Sequence, residues 1–264
     1  MKQINASQLY SYLNDLFPQS SAAEWDKVGF QIPEVFGTPQ QDKLQNVVIC
    51  LDVTSEVVEY AIEKKSNLII SRHPFIFNEI DLEKKDESKK TNYQKLVANG
   101  IQVFSIHTNY DASDKQSLLN LIEYKLNVKA AKKLEAAHEI FDIKLLNEIT
   151  NKQLIDDLKF IFGIKYVKFN ANLNLEDNVS RFYICPGAGS SLMKEHGLKN
   201  CTYVTGEAKW SDFIYAKENG INLIIVGHYM ENYFIDDIQT KITKTFGEEL
   251  DCFSFDIKNM WMLL

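Results

Sequence analysis

The sequence has 264 residues, 45% of them hydrophobic and 25% charged, which suits one large globular unit or two small ones with a sizeable core. Its 29 Lys and Arg face 36 Asp and Glu, a formal charge of −7. That balance excludes the broadly basic surface needed for sequence-independent binding, so duplex nucleic acid is not an expected partner.

The N-terminal stretch is polar and then amphipathic. Leu9, Tyr12, Leu13, Leu16 and Phe17 share one helical face, Asn5 with Gln8 forms a capping-box pattern, and Pro18 marks the end. There is no signal-peptide pattern, and no run approaches the ~18 apolar residues of a membrane span. The four cysteines, Cys50, Cys185, Cys201 and Cys252, are scattered without a CxxC pair. A reduced, cytoplasmic protein with no membrane partner is the expectation.

A β-rich run at Val47–Val53 precedes a helical pattern at 55–65. Asn67–Ser71 reads as a short buried strand, because it is nearly all apolar rather than alternating. The charged run 81–90 reads as a solvated loop or helix face. A helix at Tyr93–Asn99, a strand at Ile101–Ile106 and a helix over 114–126 follow. This alternation implies a parallel sheet with crossover helices. The middle holds strand candidates at Phe141–Leu145, Tyr166–Asn170, Arg181–Cys185 and Thr202–Val204, with helical patterns at 151–162 and 208–219. The chain closes with Asn222–Val226, a helix near 232–247 and a strand at Cys252–Phe255.

Ligands of open parallel sheets gather beyond the C-terminal strand ends. Three of the five histidines fall there: His73 just after Asn67–Ser71, His107 after Ile101–Ile106, and His228 after Leu223–Gly227. One such histidine is more often structural; three together point to a site. Asp111 lies four residues beyond His107 and Glu231 three beyond His228. Imidazole and carboxylate donors suit zinc, manganese or iron. The competing reading of Asp111 is a cap for a helix beginning near Ser113. Pro186–Ser191 (PGAGSS) reads equally as a phosphate-presenting loop before a helix near Ser190 or as a plain tight turn. Trp210, near Glu207 and Lys209, reads first as core and second as a stacking surface. Asp52 and Thr54 read most simply as caps of the following helix. Trp25 and Asp26 suggest only a turn.

Five segments carry a family resemblance: WDKVGFQI (25–32), LDVTSEVVEYAIEKKSNLIISRHPFIF (51–77), IQVFSIHTNYDAS (101–113), TGEAKW (205–210) and GINLIIVGHYMEN (220–232), with PGAGSS between them. In this order they resemble the Nif-three-like family, also called GTP cyclohydrolase I type 2 homologues. The resemblance implies an α/β protein of two linked α/β units with a metal cleft between them. It implies one or two divalent ions per chain, with His73, Asp111, His228 and Glu231 as ligands. His107 matches the histidine of the family's HTN motif. It is expected to orient a ligand or to move protons in catalysis.

Two positions depart from the family pattern. Arg72 stands where the family has the first histidine of His-His-Pro, and Asn232 stands where it usually has glutamate. Arg stays charged near neutral pH and cannot be an imidazole-like ligand. Arg72 is therefore expected to replace an ion, pairing with Glu231, or to bind an anion. The expected units are residues 1–126 plus 221–264, and 127–220. The resemblance further implies self-association into dimers or a hexameric ring. It points to a metal-dependent hydrolase acting on a nucleotide or small phosphate-bearing ligand, or else to a non-catalytic metal-binding scaffold.

Overall fold

A computed structural model describes residues 4–35, 37, 43–135 and 140–257 of the chain. They divide into two compact units. The first runs to Gln116 and resumes over Phe234–Ile257; the second spans Ser117–Tyr233.

The first unit begins with α1 (Ala6–Leu16), whose Leu9 and Leu13 are fully buried. Its capping box is complete: Asn5 Oδ1 accepts from Gln8 N at 2.9 Å, and Gln8 Oε1 accepts from Asn5 N at 3.1 Å. β1 (Gly29–Phe30), β2 (Asn46–Cys50), α2 (Ser55–Glu63) and β3 (Leu68–Ser71) follow. Then come α3 (Ile80–Glu83), α4 (Glu87–Ala98), β4 (Gln102–Ser105) and α5 (Thr108–Ala112). β3 and β4 are buried at every position, as apolar runs covered on both faces must be.

The charged run 81–90 is mostly solvated, with one exception. Glu83 is buried, and its Oε1 accepts from Phe77 N at 3.0 Å and Asn78 N at 2.7 Å. Asp86 then caps α4 through Ser88 N and Lys89 N, so the helix starts six residues before the apolar pattern suggests.

The second unit holds α6 (Leu118–Lys125), β5 (Val128–Lys133), β6 (Phe141–Thr150), α7 (Asn151–Ile161) and β7 (Lys168–Phe169). β8 (Asn178–Cys185), α8 (Leu192–Glu195), β9 (Thr202–Thr205), α9 (Trp210–Glu218) and β10 (Asn222–Ile225) complete it. Its core gathers Ile140, Met193, Tyr203, Ala216 and Leu223. The chain returns to the first unit through α10 (Tyr233–Phe246) and ends the described structure with β11 (Asp251–Phe255).

Both sheets are mixed. The first has the order β1-β4-β3-β2-β11, parallel throughout except for β1, which runs antiparallel to β4 with Gly29 opposite Ser105. The second has the order β5-β6-β8-β9-β10-β7, with β8, β9 and β10 parallel and the outer strands antiparallel. β10 therefore belongs to the second unit, where Asn222–Ile225 pairs with Thr202–Thr205. The units divide at Gln116 and Phe234, in place of the expected 126 and 221. His228 is thus carried by the second unit's own sheet. No helix among the described residues is long and apolar enough to cross a membrane.

Candidate metal centre

In the first unit the polar residues sit where β2, β3 and β4 end. Asp52 follows β2, Arg72 and His73 follow β3, and His107 follows β4. Thr54 caps α2, its hydroxyl accepting from Val57 N at 3.3 Å. The Asp52 carboxylate turns instead to an imidazole, with Oδ1 2.9 Å from His73 Nδ1. His107 Nδ1 lies 3.0 Å from Oδ1 of Asp26, whose Oδ2 accepts from Thr108 N at 3.0 Å and Thr108 Oγ1 at 2.5 Å. Burial alone would raise the Asp26 carboxyl, but the hydrogen bond and charge of His107, with the Thr108 donors, outweigh it and hold it at about 2. The imidazoles of His73 and His107 meet edge to face, their centroids 5.5 Å apart.

Arg72 is 2% exposed. Its Nη1 donates to the His107 carbonyl at 2.6 Å and its Nη2 to Asp111 Oδ1 at 2.5 Å. The guanidinium lies 5.1 Å from the Tyr110 ring centre and 5.9 Å from that of Phe234, a desolvated cation–π environment. Arg72 thus takes Asp111, a carboxylate expected to bind metal. Asp111 lies inside α5, which ends at Ala112, so it caps no helix starting near Ser113.

The second unit builds a matching cluster at the ends of β8, β9 and β10. His228 Nδ1 lies 2.8 Å from Glu207 Oε1, and its Nε2 lies 3.0 Å from Glu231 Oε2. Glu231 is buried. The His228–Asn232 segment is a 3-10 turn, so the three-residue spacing puts both side chains on one side. Two glycines let the loops close here. Gly187 has φ +59°, and a Cβ on it would lie 2.7 Å from Glu231 Oε1 and 3.4 Å from His228 Nε2. A Cβ on Gly206 would meet the carbonyls of Gly187 and Gly227 at 2.7 and 3.1 Å. PGAGSS is therefore a tight turn whose first glycine makes room for the His228–Glu231 pair. Trp210, expected in the core, is 81% exposed.

Ligand atoms of His73, His228 and Glu231 all lie within 4.8 Å of one another, so this group could bind a metal ion. Asp111 is not part of it. Sequence alone does not mark Asp26, Asp52 and Glu207 as carboxylate partners of the histidines. For Asp52 and Glu207 the available signal was their position just past a strand; for Asp26 it was only the turn it opens with Trp25.

Fold and donor set define an α/β protein of two mixed sheets with a candidate His/His/Glu metal site. The chain matches the Duf34/NIF3 (NGG1p interacting factor 3) family over residues 4–260 and belongs to that family. It is 32% identical over 257 residues to a "GTP cyclohydrolase 1 type 2 homolog" of Mycoplasmopsis pulmonis, covering 94% of this chain and 97% of the relative. "Protein NIF3 homolog" of Schizosaccharomyces pombe is 24% identical, with 92% and 91% covered. Among solved structures, hypothetical protein SA1388 of Staphylococcus aureus superposes with a TM-score of 0.83 at 22% identity, all of both chains being covered. A Bacillus cereus protein related to NIF3 gives 0.83 at 18% identity, again over the whole of both chains. These neighbours establish the NIF3 fold.

Proposed function

We propose that this chain is a divalent-metal-dependent hydrolase acting on a nucleotide or another phosphate-bearing small molecule, with one ion of zinc, manganese or iron held by His73, His228 and Glu231. The observation that carries the reading is the close grouping of two imidazoles and a buried carboxylate, the donor chemistry those ions prefer. Asp52 and Glu207 support it. Each engages the Nδ1 of one histidine, which leaves Nε2 as the ring atom to meet an ion and strengthens it as a donor. A bound ion would polarise a substrate oxygen or acidify a water. His107 is the proton carrier in this reading: Asp26 engages its Nδ1, so Nε2 is the ring atom that accepts and returns the proton. Arg72 supplies a permanent positive charge beside Asp111. Its burial favours the ion-replacing role over capture of a free anion.

The test is metal content and turnover together. Protein purified without chelator is expected to carry one ion per chain, lost in His228→Ala and Glu231→Gln. Hydrolysis of GTP or of a phosphoester in a substrate panel is expected to fall about 100-fold or more in His107→Ala. Two tightly held ions per chain would refute the single-ion assignment. The Arg72–Asp111 pair also favours a second reading, a non-catalytic metal-binding scaffold, because it withdraws a carboxylate from chemistry. Absence of turnover with zinc, manganese and iron would select it.

A further inference from the structure

The first unit displays two large aromatic side chains where burial would be expected. Trp25 is 55% exposed and Phe77 41% exposed. Their ring centroids are 5.9 Å apart, and Trp25 lies 5.9 Å from the His107 ring, edge to face. With His73 beyond His107, four rings run in series from the open surface to a candidate ligand.

Neither exposed ring rides on a loosely held loop. The backbone beside Trp25 is fixed by Asp26, whose carboxylate grips Thr108 and His107, and by Ala23 N, which donates to Thr108 Oγ1 at 2.9 Å. The backbone at Phe77 and Asn78 is fixed by the buried Glu83. Gln31 then joins the two loops. Its Nε2 donates to Lys27 O at 2.7 Å and Gly29 O at 3.0 Å, while its Oε1 accepts from Ile76 N at 2.9 Å. Gln31 is itself buried. Buried polar side chains are thus committed to holding two apolar rings open to solvent and beside an imidazole.

We propose that Trp25 and Phe77 form the subsite for a planar heteroaromatic ring, placing a nucleobase or a comparable fused nitrogen heterocycle against His107. Large rigid rings give contact area at little entropic cost, and every nucleobase has a π-face to lay on them. The surface charge of the chain is no obstacle to a neutral ring. This assignment rests on the hydrolase reading and narrows its substrate to ring-bearing compounds.

The experiment uses calorimetric titration of the full chain with three probes: guanosine, ribose 5-phosphate and tripolyphosphate. Guanosine is expected to bind, and Trp25→Ala to weaken it about ten-fold or more. Trp25→Phe should restore most of that affinity. Tripolyphosphate and ribose 5-phosphate binding should be unchanged in both variants. Tyr124→Ala, which removes another highly exposed ring, should alter none of the three. Equal loss for all probes, or undiminished guanosine binding in Trp25→Ala, overturns the proposal. So does a change of oligomeric mass in Trp25→Ala with guanosine affinity intact, which would assign the rings to a contact between copies of the chain. Because guanosine carries no phosphate and the metal reading is scored by ion content, failure of one leaves the other legible.

Discussion

Arg72 is a buried cation among the first unit's strand ends, and its partner Asp111 is only 14% exposed in its side chain. Removing one member of such a pair strands the other charge, whereas replacing both with apolar groups does not. Arg72→Met is therefore expected to cost about 3–5 kcal/mol of unfolding free energy, and the double change Arg72→Met with Asp111→Leu less than half of that. Urea unfolding of the single and double variants measures the difference. If the single change costs under ~1 kcal/mol, the pair does not stabilise the unit as described.

At the level of strands and loops, the His228–Glu231 pair depends on a backbone passing close by at Gly187. Gly197 offers a matched comparison, since it has the same φ of +59° but nothing within 4 Å of a built Cβ. Gly197→Ala should cost only backbone strain, about 1–2 kcal/mol, and leave metal binding unaltered. Gly187→Ala adds the clash with Glu231 and should weaken metal binding about ten-fold or more, as disturbed ligand support does. Competition with a chelating dye reads both. Elements of this kind were unevenly legible in the sequence. β2, β3, β4 and β10 announce themselves as largely apolar runs and β9 as a β-branched and aromatic one, and the histidines past β3, β4 and β10 follow from them. β1 has two residues and β5, Val128–Lys133, is half lysine and half exposed, so neither carries a periodic signal. The pairing of Asp26 with His107 was hidden for the same reason. It depends on β1 lying against β4, a register that no local pattern encodes.

Across the whole chain, two buried carboxylates far from one another in sequence tie stability to pH. Asp26 is held at about 2 as described. Glu83 is held there too: burial alone would raise it, but Lys89 and the Asn78 donors prevail. Both pKa values lie below their unfolded ones, so the stabilisation is complete above about 4.5 and is lost as pH falls from there towards 2. With solvent screening discounted from the full shifts, the two together contribute on the order of 3 kcal/mol. The thermal midpoint should drop steeply between pH 4.5 and 2.5, and less steeply in Glu83→Gln, which already lacks its share at neutral pH. The two-sheet α/β plan was readable from alternating segments. The assignment of β10 was not, because an apolar run does not declare which sheet it joins. One consequence of the strand order concerns biosynthesis. β2 emerges from the ribosome early, yet its neighbour β11 arrives only after the entire second unit has been translated. At ordinary elongation rates that interval is on the order of ten seconds or more. Throughout it an apolar strand stands with one open edge, the circumstance in which nascent chains recruit chaperones or adhere to one another.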